Sequence, residues 1–168
     1  AQTRVPQNTN YLQPTKYLLT FERMPTVQYF CQSVNIPGLS IGQAIINTPG
    51  LDIYAPGNKI TYNVFNINFA IDEKAQGYRE VINWFNAIAS PNGTDVRNRL
   101  NAIQSGTRPK ESYYSDATLT VMSSLNNPIL RVKFFNCFPI TLSDIIFDSA
   151  QSADDIISAD GVFMFDYF

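Results

Sequence analysis

Phe65-Asn66-Ile67-Asn68-Phe69-Ala70-Ile71-Asp72 is the stretch on which the fold turns. Apolar side chains at 65, 67, 69 and 71 alternate with Asn66, Asn68 and Ala70. A period of two gives a strand one core face and one wet or interfacial face. The reading extends this strand over 59–71. The period then changes. Asp72 reads as a helix N-cap, and Glu73 falls where the helix dipole favours an acid. Tyr78, Val81, Ile82, Phe85, Ile88 and Ala89 follow at helical spacing, which predicts one amphipathic helix over 73–89, stopped by Ser90-Pro91. Gly77 inside it costs about 1 kcal/mol relative to Ala. Trp84 lies off the centre of the stripe and reads as partly buried, with an interface anchor as the functional alternative.

Upstream, residues 36–59 carry three Pro-Gly pairs, Pro37-Gly38, Pro49-Gly50 and Pro56-Gly57. Pro presets the first corner of a turn and Gly accepts positive φ at the second, so each pair predicts a turn. Between them stand Leu39, Ile41, Ile45, Ile46, Leu51, Ile53 and Tyr54. A punctuated excursion of this length is seldom carried without a function. Its apolar residues must either fold back on their own domain or dock on a neighbouring subunit. Before it, 16–23 and 27–35 read as two strands turned at Met24-Pro25-Thr26, a hairpin. Residues 1–15, with two Asn, three Gln and two Pro among the first 14, read as an extended arm.

Downstream, 91–114 reads mainly as loop. It contains Arg97, Arg99, Arg108 and Lys110 beside Tyr113 and Tyr114, either a solvated loop or subunit contact, or a site that stacks and neutralises a nucleic-acid strand. Strands are predicted at 116–123, 129–138, 139–147 and 158–168. In the last, Phe163, Phe165 and Tyr167 share one face. The sum is a mainly β chain: an antiparallel sandwich or partly closed barrel of about eight strands, with one flanking α-helix and a long protruding hairpin loop. Residues 16–168 read as a single domain behind the arm.

Composition narrows function. A chain of 168 residues, 45% hydrophobic and 13% aromatic, fills a real core, burying roughly 70% of its unfolded surface. There is no histidine, which removes the commonest general base and metal ligand. Asp72-Glu73 and Asp154-Asp155 read as a helix cap and a loop rather than as glycosidase carboxylates. Neither a phosphate-cradling Gly-rich loop nor a calcium loop is present. The expectation is a protein that is not an enzyme and holds no cofactor or metal. Cys31 and Cys137, each in an apolar run, read as free thiols. No stretch approaches a bilayer span, so a soluble chain without a membrane anchor is expected. Net charge of −2 argues against a basic nucleic-acid face. Residues 138–168 hold six acids and no Lys or Arg, either a solvated acidic edge or a surface kept negative so that a polyanion slides past. Exposed Tyr54, Tyr113 and Tyr114 leave a carbohydrate-binding sandwich as a more distant alternative.

The order of these elements resembles the tail tube family of contractile-tailed bacteriophages over residues 11–168. The phrases Ile36-Pro37-Gly38-Leu39-Ser40-Ile41-Gly42 and Thr48-Pro49-Gly50-Leu51-Asp52-Ile53-Tyr54 carry the likeness, with the alternating strand, the helix holding Asn83-Trp84, Cys137-Phe138-Pro139-Ile140 and the aromatic end. The resemblance implies hexameric rings whose sheets join into one continuous barrel around a channel. Residues 36–59 would be the stacking loop to the next ring and 73–89 the outer helix. It implies tail sheath, baseplate and neck proteins as partners, and genomic DNA and a tape-measure protein in the channel, bound without sequence specificity. The location implied is the virion tail, after assembly in the host cytoplasm. The same fold serves initiator rings at the baseplate and terminator rings at the neck. A lining that repels phosphates would draw on Asp116, Asp144, Asp148, Asp160 and Asp166.

Overall fold

The computed structural model describes residues 9–89, 113–152 and 154–168. Strand β1 (Tyr17–Phe21) leads into a short helix α1 (Pro25–Tyr29) and strand β2 (Cys31–Val34). Next come β3 (Leu39–Thr48), β4 (Leu51–Tyr62), β5 (Phe65–Ala70) and the helix α2 (Gln76–Ile88). Strands β6 (Ser115–Met122), β7 (Pro128–Leu142) and β8 (Ser158–Met164) complete the order. Six strands form one antiparallel sheet in the order β1-β6-β7-β8-β5-β2, and β3 and β4 form a separate two-stranded ribbon. The mainly β expectation of eight strands holds.

The sheet is curled. Its end strands β1 and β2 come close enough for Tyr17 Oη to donate to the Gln32 carbonyl at 2.7 Å. Among the described residues no backbone ladder joins them, so the barrel stays partly closed. The 15-residue β7 makes the curl by serving both halves: its first part pairs with β6 and Phe138–Leu142 with β8. At the change of partner Asn136 takes φ 56°, a left-handed conformation that Asn tolerates better than most residues. What reads in sequence as two strands, 129–138 and 139–147, is therefore one strand with a bend, ending at Leu142.

The hairpin expected from 16–35 does not form. Pro25 occupies the first helical position, where its fixed φ suits a helix and its missing N–H costs nothing. Met24 and Val27 are both buried, and that single turn carries the chain across the barrel end, leaving β1 and β2 at opposite ends of the strand order. The strand read over 59–71 also divides at Asn63-Val64, because 59–62 belongs to the ribbon and 65–70 to the main sheet. Within β5 the alternation is as read: Phe65, Ile67 and Phe69 are buried.

Helix α2 starts three residues later than expected. Ala75 holds the capping position with φ 51° and no side-chain cap. Asp72 still acts at this end, since its Oδ1 accepts from the Gly77 N–H at 3.2 Å. The buried face runs through Gly77, Val81, Trp84 and Ala87, rotated from the predicted stripe, and Trp84 is core rather than an interface anchor. Its ring meets Phe21 edge-on at 5.7 Å and lies 5.8 Å from Phe163. Nε1 donates to the Tyr113 carbonyl at 2.8 Å, and the Arg23 guanidinium sits 5.3 Å above the ring. At the chain end, regular pairing stops at Met164. Phe165 stays buried, but Tyr167 turns outward and Phe168 packs on Tyr62 and Phe134 in its place.

Cys31 and Cys137 are unpaired, as read. Burial, with the Asp116 and Asp166 charges adding to it, pushes the Cys137 thiol up to about 12 from 9.0. Native stability linked to this group is complete below pH 9.0 and is lost as pH climbs toward about 12, because the unfolded thiol ionises first. In native protein a thiol reagent is expected to label Cys31 and to reach Cys137 only after unfolding, with Cys137→Ala flattening the alkaline loss of stability. Equal labelling rates for the two thiols would contradict this core.

Candidate assembly surfaces

The ribbon is built from strand formers held by one true turn. Of the three Pro-Gly pairs, only Pro49-Gly50 makes a hairpin turn, with Gly50 at φ 93° and the Thr48 hydroxyl donating to the Leu51 carbonyl. Pro37-Gly38 leads into β3. Pro56-Gly57 lies inside β4, where the register slips: Ile41 pairs Ile60, yet Gln43 pairs Pro56. Gly57 fits this bulge because its Cα faces the Gly42 carbonyl; an added Cβ would stand 2.4 Å from that oxygen.

Residues directly opposite in an antiparallel pair share a face. Ile45 opposes Tyr54 on one face, and the next pair, Ile46 and Ile53, lies on the other. Both faces of the ribbon are thus apolar. Leu39, Ile41, Ile45, Ile46, Leu51, Ile53 and Tyr54 are all exposed, Leu51 at 72% and the others about half. The option of folding back on the domain is excluded by this exposure. Only at the ribbon's root does a residue reach the core, where Tyr62 packs against Phe165 and Phe168.

The acids singled out from sequence separate into two groups. Asp116, Asp160 and Asp166 each adjoin a buried residue (Ala117, Ala159 and Phe165) and so turn to the outer face of the sheet. Asp160 accepts from Asn68 Nδ2 and Asp166 from Asn136 Nδ2, both at 2.6 Å. Asp116 is ion-paired with Lys133 at 3.1 Å. That face therefore mixes carboxylates and amides with the cations of Arg131 and Lys133. Asp144 and Asp148 stand on the connection between β7 and β8, where Asp148 Oδ1 caps the Ala150 N–H at 2.9 Å. Arg97, Arg99, Arg108 and Lys110 lie outside the described residues. Tyr54 is on the ribbon, whereas Tyr114 stands edge-on to Phe138 at 5.9 Å at the entrance to β6, so these tyrosines belong to separate sheets.

Among the described residues no three His, Cys, Asp or Glu side chains gather as a metal site, and no helix is long and apolar enough to cross a membrane. What the sequence did not disclose is the apolar set on the β7–β8 connection: Ile146, Phe147 and Ile156. The first two lie in a run that reads equally well as strand.

The family model described as phage tail tube protein matches residues 5–167. The chain belongs to the phage tail tube protein family. Members of this family are structural tube components rather than enzymes. Solved structures share the fold at low identity. A chain of the anti-feeding prophage cap, a tube terminating cap, is 15% identical with a TM-score of 0.58, covering 99% of this chain and 95% of that one. A chain from the sheath/tube terminator of the extracellular contractile injection system PVC, in its extended state, is 17% identical with a TM-score of 0.57, covering 95% and 96%. One from the sheath–tube complex of the same system is 16% identical at 0.57, covering 94% and 89%. No curated protein matches the sequence.

For this tail tube protein the ribbon's geometry depends on one backbone approach. Gly57→Ala must open the bulge, at a cost of about 1–3 kcal/mol by the usual penalty for overpacking. The expected outcome is faster hydrogen exchange across residues 39–62 with little change in the melting of the main sheet. Unchanged exchange there would mean the bulge tolerates a Cβ.

Proposed function

We propose that this chain is the repeating subunit of a tail tube, closing side by side into six-membered rings that stack into a hollow channel. The observation that carries this reading is the ribbon: two strands bearing isoleucine on both faces, anchored at the Tyr62 end, with Leu39, Ile41, Ile45, Ile46, Leu51, Ile53 and Tyr54 exposed. Fully burying one such side chain is worth roughly 1.5–3 kcal/mol. A ribbon of this kind gains its burial only from another molecule.

Two further features support the reading. The outward edges of β1 and β2 pair with nothing else in the six-strand order, and ring closure gives exposed edges a partner. The outer face, with Asn66, Asn68, Asp116 and Asp160, supports a channel wall: its carboxylates repel DNA phosphates, and of the β7 cations Arg131 and Lys133 the second is ion-paired. In this reading Asp166 adds to the negative lining while Asp144 and Asp148, on the β7–β8 connection, stand at the rim of the ring; α2 faces outward toward a sheath, and genomic DNA and a tape-measure protein occupy the channel without sequence-specific contacts. Baseplate and neck proteins meet the tube at its ends, in a virion tail assembled in the host cytoplasm.

Electron microscopy of the purified protein tests this directly, with rings and tubes expected. Gln43 and Pro56 are already cross-strand partners, so residues 44–55 can be replaced by Asn-Gly, a two-residue turn suited to a hairpin. The shortened protein is expected to keep its fold by circular dichroism while its sedimentable tubes fall about tenfold or more, as loss of a central apolar contact implies. Long tubes from that variant would remove the ribbon from the stacking contact. Rings that never lengthen, even at high concentration, point to an initiating or terminating ring instead.

A further inference from the structure

The β3–β4 ribbon and the β7–β8 connection leave the barrel at opposite ends. The ribbon returns to the sheet at Phe65, whose partner is Phe163 near the end of β8. The β7–β8 connection closes at Ser158, paired with Ala70 at the other end of β5, and the Ile71 N–H donates to the Ile157 carbonyl at 2.8 Å. Six residues of β5 separate the two exits, about 17–20 Å of extended chain.

Each exit carries apolar side chains without a home. On the connection these are Ile146, Phe147 and Ile156, exposed at 74%, 81% and 70%. They are set among Asp144, Asp148, Asp154 and Asp155, all exposed. We propose that Ile146, Phe147 and Ile156 form the receiving surface for the ribbon of a second copy of this chain, stacked head to tail. The inference rests on the tube reading and adds to it the surface that the ribbon meets.

Charge selects this partner over the alternatives. Two copies meeting connection to connection would oppose eight carboxylates, four from each, a like-charge juxtaposition that interfaces avoid. Residues 39–62 carry one acid, Asp52 at the tip, and one base, Lys59 at the bulge, so the ribbon brings apolar area with no net charge and opposes one carboxylate, not four, to the acidic rim. Ribbon-to-ribbon pairing would be two-fold and closed. A contact between unlike surfaces at opposite ends repeats indefinitely along a line, as a tube requires.

The experiment uses full-length protein. Phe147→Asp, with Ile146→Asp alongside, changes side chains that the core does not use, so the fold is expected to stay intact by circular dichroism. Wild type is expected to form tubes, and the variant to stop at single rings, with the concentration needed for tubes raised at least about tenfold. An independent measurement joins Ile53→Cys and Phe147→Cys in one chain. On oxidation of assembled protein, a ladder of covalent oligomers is expected from the double variant, and none from either single variant. Variant tubes that grow like wild type, or assembled double-variant tubes without a ladder, overturn the receiving surface while the tube reading stands. Wild-type protein that stays monomeric overturns both.

Discussion

Trp84 is the piece on which the curled sheet closes. A sheet that bends on itself creates a core side that its own strands cannot fill, and here α2 supplies the filling. The indole contacts Phe21 from β1 and Phe163 from β8, two strands that are not neighbours in the sheet. Its N–H is satisfied by the Tyr113 carbonyl, so the ring is buried without an orphaned donor. Phe65 and Phe134 stack at 4.4 Å in the same core. Large rings tilted against one another fill a curved space with few side chains, which accounts for the aromatic richness of the chain. The close fit extends to Gly161, where an added Cβ would stand 2.9 Å from the Phe163 ring.

With the core completed in this way, the remaining apolar side chains are surplus to a single copy. They are distributed to a purpose. The outer face of the main sheet carries Asn, Asp, Thr, Arg and Lys, several held by amide–carboxylate hydrogen bonds and an ion pair, alongside exposed Leu18, Leu130 and Ile140. Exposed isoleucines stand on the ribbon and on the β7–β8 connection, at opposite ends of the barrel, and also on β7 at Ile129 and Ile140. Exposed apolar area collected in this way marks an interaction surface.

Legibility from sequence followed the range of the interactions involved. The strand 65–70 and the helix near 76–88 were readable because their periodicity is a local property, and a protruding hairpin within 36–59 was readable because Pro and Gly punctuate a run of β-branched residues. The hairpin of 16–35 failed on long-range pairing. Tyr17–Phe21 finds its partner in Ala117–Val121, and Cys31–Val34 finds its own in 67–69. No local pattern encodes a partner about a hundred residues away. Trp84, read as partly buried beside the stripe, is fully core, because the helix is modestly rotated from a stripe centred on the aliphatic residues.

By itself the sequence determined what each segment could be: which residues alternate, where a helix has an apolar stripe, that no histidine chemistry exists, and that seven large apolar residues sit in a turn-rich excursion. Tertiary structure decided what those segments face. It joined two apparent strands into β7, turned Pro56-Gly57 from a corner into a bulge, and set the ribbon and the acidic connection at opposite ends of the barrel. The physical reason is that propensity acts within a few residues. Exposure depends on whether another part of the chain arrives to cover a surface, and among the described residues none covers the apolar side chains of the ribbon.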